Sequence, residues 1–143
     1  MTRIDFYVLN SHSSNARLQF ACRLAYKAWQ HNRRVYLHCG SEQEAEELDE
    51  LLWSFRPDTF LPPALYDCHG DEPVVCGWGR EPDPYNDLLI NLSNETPEFF
   101  SRFNRLAEIL VNHEPIIDPG RERFRFYRDR GYPLDTHQIR TAG

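Results

Sequence analysis

Residues 4–9, Ile-Asp-Phe-Tyr-Val-Leu, are β-branched and aromatic and end at Asn10-Ser11, so they predict a strand. Leu18, Cys22, Ala25 and Trp29 then recur at i, i+4, i+7 and i+11. That spacing predicts a helix over 16–31 with one apolar face, capped by Ser14 or Asn15. Residues 35–39 read as a second strand closed by Gly40. Ser41 followed by Glu44 has the form of a capping box and opens a helix through Trp53, with Ala45, Leu48, Leu51 and Leu52 as its apolar stripe. Six acidic residues between Glu42 and Glu50 cover the other side, and those in the first turn suit the helix dipole.

The pattern then breaks. Residues 56–66 are strongly apolar, but their prolines argue against regular structure. Residues 74–78 can form a short strand, 80–86 a proline-bearing loop, and 87–92 a buried strand. Thr96-Pro97-Glu98 starts a short helix through Phe103, with proline at its first position. Residues 106–111 read as a strand, with continuation of the helix as the alternative. A last helix is expected after Asp118-Pro119-Gly120, ending at Gly131 with Pro133 just beyond.

Strand, helix, strand, helix and further short elements point to an α/β three-layer sandwich. Its central sheet should be mainly parallel with helices on both faces, Rossmann-like in outline. At 143 residues the chain fits one domain, residues 1–143. No stretch approaches the roughly 20 apolar residues of a membrane span, and the cytoplasm is the expected compartment. Cys22, Cys39, Cys68 and Cys76 are then expected as reduced thiols, mostly buried.

Charge changes the picture at one place. The chain carries a net −6, yet residues 121–130 hold five arginines against Glu122 and Asp129, interleaved with three aromatic rings. Arg121, Phe124, Arg125 and Arg128 fall at i, i+3, i+4 and i+7, hence on one helical face. Such a face can clamp carboxylates bidentately while its rings accept an apolar side chain. The alternatives are core packing of the rings with solvated arginines, and direct binding of nucleic acid through the same helix. An extended phosphate track is disfavoured, because removing this local +3 leaves about −9 on the remainder. A second apolar surface is Trp53 with Phe55, Phe60, Leu61 and Pro62. It is either core closure or a patch that a partner covers.

Enzymatic signals are weak. The turn after the first strand, residues 9–15, contains no glycine to let phosphate approach the backbone, and no P-loop occurs. A small nucleotide-binding enzyme is therefore a minor alternative, and no cofactor is expected. His38-Cys39 would point to opposite faces of a strand, and Cys68-His69 read as loop residues, so no metal site is expected. No G-x-S-x-G elbow is present, and nothing in the pattern proposes a catalytic residue.

The chain resembles the chi subunit family of bacterial DNA polymerase III. The resemblance rests on residues 4–9, 48–53, 59–62, 87–92, 121–128 and 131–134 in their order and spacing. It implies a non-catalytic accessory role in the clamp-loader complex, with two protein partners and at most indirect DNA contact. One is the psi subunit, as a heterodimer that tethers chi to the clamp loader. The other is the acidic C-terminal tail of single-stranded DNA-binding protein, which ends in Pro-Phe. The family's tail site maps onto Arg121, Phe124 and Arg125, with Tyr127 and Arg128 close by, and its psi surface onto Trp53, Phe60, Leu61 and Pro62. Family members carry tyrosine at the position of Phe124 and lysine at Arg125. The arginine keeps the charge and adds bidentate reach. Ile116 and Ile117, placed just before the last helix, are apolar candidates for the wall of the phenylalanine pocket.

Overall fold

The computed structural model of the protein describes residues 1–55, 64–65, 74–79, 81–82 and 87–140. The elements are β1 (Arg3–Leu9), α1 (Ser14–Gln30), β2 (Val35–Cys39), α2 (Glu42–Phe55), β3 (Ala64–Leu65) and β4 (Val74–Trp78). They continue with β5 (Leu88–Asn91), a 3-10 turn (Phe100–Arg102), β6 (Arg105–Val111), α3 (Glu114–Asp129) and β7 (Leu134–Ile139). The strands form one sheet in the order β3-β4-β2-β5-β6-β1-β7, and every pairing is parallel.

Alternation along β1 divides the molecule into layers. Phe6 meets the rings of Phe124 and Tyr127 on α3, while its neighbour Tyr7 meets Phe20 on α1. α1 and α2 thus share one face of the sheet and pack on each other. Tyr26 of α1 donates its hydroxyl hydrogen to the Leu52 carbonyl of α2. α3 lies on the opposite face, giving the expected sandwich. The central strands are buried on both sides, as parallel sheets covered by helices require. Cys22, Cys39 and Cys76 are free and buried; burial pushes the first two thiols up to about 12 and the third higher still. Cys68 lies outside the described residues. Among the described residues, no helix is long and apolar enough to cross a membrane.

Local chemistry accounts for three helix ends. Ser41 Oγ accepts from Glu44 N–H at 3.2 Å, and Glu44 Oε2 accepts from Gly40 N–H at 3.2 Å. The capping box therefore forms, with its return arm reaching one residue further back. α1 is capped by Ser13, whose Oγ accepts from Ala16 N–H at 3.2 Å, rather than by Ser14 or Asn15. Gly131 takes φ 81° after the end of α3, a left-handed conformation that glycine adopts without a Cβ penalty.

Three expectations need correction, and one strand was not anticipated. α3 begins at Glu114, so Ile116, Ile117, Asp118 and Pro119 lie inside it. Pro115 stands where an N–H has no intrahelical acceptor, and Pro119 forfeits only one bond near the start. The helix expected from Thr96 to Phe103 is reduced to a 3-10 turn at Phe100–Arg102. Prolines do not keep all of 56–66 irregular, because Ala64 and Leu65 pair with Val75 and Cys76. Finally, β7 adds an edge strand beside β1; its sequence, Leu-Asp-Thr-His-Gln-Ile, lacks the alternation that marks a strand.

Candidate docking surfaces on the last helix and the second helix

The longer α3 carries two stripes with different destinations. Ile116, Gly120, Arg123 and Tyr127 recur at i, i+4, i+7 and i+11, and all are buried against the sheet. Ile117, Arg121, Phe124, Arg125 and Arg128 form the adjoining stripe at i, i+4, i+7, i+8 and i+11. Here the arginines are exposed and the two apolar residues half-buried.

The buried stripe is fixed by a polar knot. Glu108, on β6, is fully buried yet accepts four hydrogen bonds. Arg123 Nε and Nη2 each donate at 3.0 Å, Tyr127 Oη at 2.8 Å and Asn91 Nδ2 at 3.0 Å. Burial, and then the neighbouring Glu108 charge, push the Tyr127 phenol well above its ordinary range. The hydroxyl therefore stays protonated and donates. A second arginine, Arg17 on α1, is also buried and bonds the carbonyls of Ile109 and Leu92. Sequence reasoning missed this network. The usable signal was a lone glutamate inside the apolar run of β6, which demands a buried cationic or hydrogen-bonding partner.

On the exposed stripe, Phe124 rests edge-on against Phe6, with centroids 5.2 Å apart. One side of its ring is anchored while the residue remains partly accessible. Arg121 pairs with Asp118 at 3.7 Å and Arg128 with Asp129 at 3.3 Å, both at the surface. Exposed pairs of this kind are worth less than about 1 kcal/mol, so both guanidinium groups can exchange partners. Arg125 makes no ion pair among the described residues. The structure thus brings Arg121, Phe124, Arg125, Arg128 and Ile117 together on one surface. Tyr127 does not join them: its side chain is fully buried and committed to Glu108, so it supports the helix from beneath.

The second surface is seen in part. Trp53, in the last turn of α2, is 40% exposed. Phe55 is half-buried beneath the Arg23 guanidinium, 5.4 Å from its ring centroid. Phe60, Leu61 and Pro62 lie outside the described residues. Because α2 and α3 cover opposite faces of the sheet, Trp53 and the exposed α3 stripe do not share a helix or a layer.

A profile of the family described as DNA polymerase III chi subunit, HolC, matches residues 1–135. The chain is 49% identical over 139 residues to the DNA polymerase III subunit chi of Pseudomonas aeruginosa, covering 97% of this chain and 98% of that protein. Its identity to the subunit chi of Haemophilus influenzae is 30% over 141 residues, covering 94% and 96%. For the subunit chi of Escherichia coli it is 28% over 143 residues, covering 95% and 97%. Among solved structures, that of T4 UvsW is similar in fold, with a TM-score of 0.67 at 8% identity. The match spans 97% of this chain and 42% of that one.

Proposed function

This chain belongs to the DNA polymerase III chi subunit family, and from that premise we propose that it is a non-catalytic adaptor which docks an acidic peptide tail on α3 and a psi subunit on α2. As a chi subunit it is an accessory component of the replicative polymerase. The adaptor reading adds that its two partners are the C-terminal tail of single-stranded DNA-binding protein and, through psi, the clamp loader.

The observation that carries the tail assignment is the exposed α3 stripe, three arginines flanking a half-buried ring. An acidic segment ending in Pro-Phe presents carboxylates along its length and a free carboxylate beside an apolar side chain. Arg121, Arg125 and Arg128 supply charge-assisted donors in fork geometry. Phe124 and Ile117 supply apolar surface for the terminal ring. Because a disordered tail loses conformational freedom on docking, an affinity near the micromolar level, about −8 kcal/mol, is expected.

The test is titration of a labelled acidic peptide ending in Pro-Phe. Arg121→Ala should weaken binding about tenfold, or roughly 1.4 kcal/mol. Raising salt to about 0.15 M should weaken wild-type binding further, since the charges are exposed. Deletion of the terminal phenylalanine should abolish saturation. Ile117→Ala with unchanged affinity would remove that residue from the pocket wall. A wild-type protein that ignores the peptide but binds an oligonucleotide would transfer the basic helix to nucleic-acid recognition.

For psi, the carrying feature is the exposed Trp53 indole on α2. Large aromatics at the centre of an interface commonly cost about 2 kcal/mol or more when truncated. Trp53→Ala should therefore reduce co-purification with psi while leaving tail affinity intact. Equal loss of both would contradict two separate surfaces.

A further inference from the structure

The connections of the sheet part in opposite directions at one place. After β1 and β2 the chain runs through α1 and α2 on one face, toward the β3 edge. After β5 and β6 it runs toward the β7 edge, with α3 on the other face. β2 and β5 are neighbours, so a crevice is expected beyond their carboxyl ends, where open α/β sheets take ligands. A cavity of about 550 Å³ lies there, lined by Ser14, Arg17, His38, Glu44, Glu47 and His113 among others.

Its polar groups are incompletely satisfied. Arg17 is 6% exposed. Its Nε donates to the Ile109 carbonyl at 2.7 Å and its Nη1 to the Leu92 carbonyl at 3.2 Å. Its Nη2 is buried without a partner among the described residues, as is Nδ1 of His38. An unmet donor on a buried guanidinium is costly, and an incoming anion removes that cost. Although burial lowers Arg17 to about 10, the group is still cationic at neutral pH. Ser14 stands in the first turn of the 17-residue α1, adding the positive end of a helix dipole. Glu44 and Glu47 on α2 also line the cavity and offer acceptors of the kind that bind ribose hydroxyls in dinucleotide sites.

We propose that this cavity binds a nucleoside monophosphate, its phosphate against Arg17, Ser14 and His38 and its ribose hydroxyls toward Glu44 and Glu47. A single phosphate fits better than a pyrophosphate. Residues 9–15 contain no glycine to wrap a longer anion, so side-chain charge replaces the backbone cradle. The site is separate from the tail-docking surface, since it uses none of the exposed α3 stripe.

AMP, GMP, CMP and UMP are titrated into the whole protein by calorimetry, with adenosine and inorganic phosphate as the two half-ligands. At least one nucleotide should saturate below about 10 mM, and more tightly than either half. Ser14→Asp places a like charge where the phosphate sits, yet an acid in the first turn favours the helix. It should weaken binding at least tenfold without lowering the melting temperature. Arg17→Met should weaken binding as much or more. Failure of all four nucleotides to saturate would overturn the proposal. So would phosphate alone binding as tightly as a nucleotide, or Ser14→Asp binding with wild-type affinity.

Discussion

Replacing Glu108 by alanine is expected to destabilise the protein by about 3–5 kcal/mol, the usual cost of breaking a buried pair by deleting one partner. The carboxylate is fully buried and accepts from Arg123, Tyr127 and Asn91. Its removal leaves a guanidinium 4% exposed with no counter-charge among the described residues, a phenol without its Glu108 acceptor, and the Asn91 amide with only the Glu95 carbonyl of its two acceptors. Desolvation decides the sign, because in the intact knot Coulomb attraction and hydrogen bonds offset it, and in the variant nothing does. Urea unfolding of Glu108→Ala measures the loss directly. The combined variant Glu108→Met, Arg123→Met, Tyr127→Phe should recover most of it, since an apolar replacement has no charge to strand. A loss under about 1 kcal/mol for Glu108→Ala would mean that water reaches Arg123.

Gly120→Val should cost about 3 kcal/mol, by overpacking. A Cβ at this position would stand 2.5 Å from Leu110 Cδ2 and 2.7 Å from Cδ1. Leu110 is only 3% exposed and cannot swing away into solvent. Even Gly120→Ala, which gains about 1 kcal/mol of helix propensity, should be net destabilising because the clash outweighs that gain. The check is a double-mutant cycle that combines Gly120→Ala with Leu110→Ala. Trimming the leucine should make room for the added methyl group and produce a favourable coupling of about 1 kcal/mol. Strict additivity would show that the helix simply shifts outward.

These two positions mark the border of what was legible in the chain. The β-branched and aromatic run of residues 4–9 predicted β1, the apolar periodicity of residues 18–29 predicted α1, and Ser41 with Glu44 predicted the start of α2. Gly131 predicted the end of α3. Each of these signals is local: a period, a cap or a glycine acts within a turn or two of itself. The same holds for the exposed stripe of α3, since the spacing of Arg121, Phe124, Arg125 and Arg128 places them on one helical face in any fold that keeps the helix.

What the spacing could not tell is which side of that helix meets the sheet. Arg123 and Arg125 look alike in sequence, two arginines on either side of Phe124. One is buried on Glu108 and the other is exposed, and the difference arises from a strand residue fifteen positions away. The start of α3 was misplaced because prolines at 115 and 119 are local breakers, whereas burial of Ile116 and close packing of Gly120 on Leu110 of β6 outweigh one lost backbone bond. β7 was missed because an edge strand needs only a neighbour's hydrogen bonds, not an apolar alternation of its own. The cavity at the carboxyl ends of β2 and β5 has no sequence signature either, because strand order creates it. Periodic and capping residues thus settled the elements and the surface chemistry of this protein. The buried charges, the helix start and the crevice came from contacts between distant segments, which only a packed sheet brings within reach.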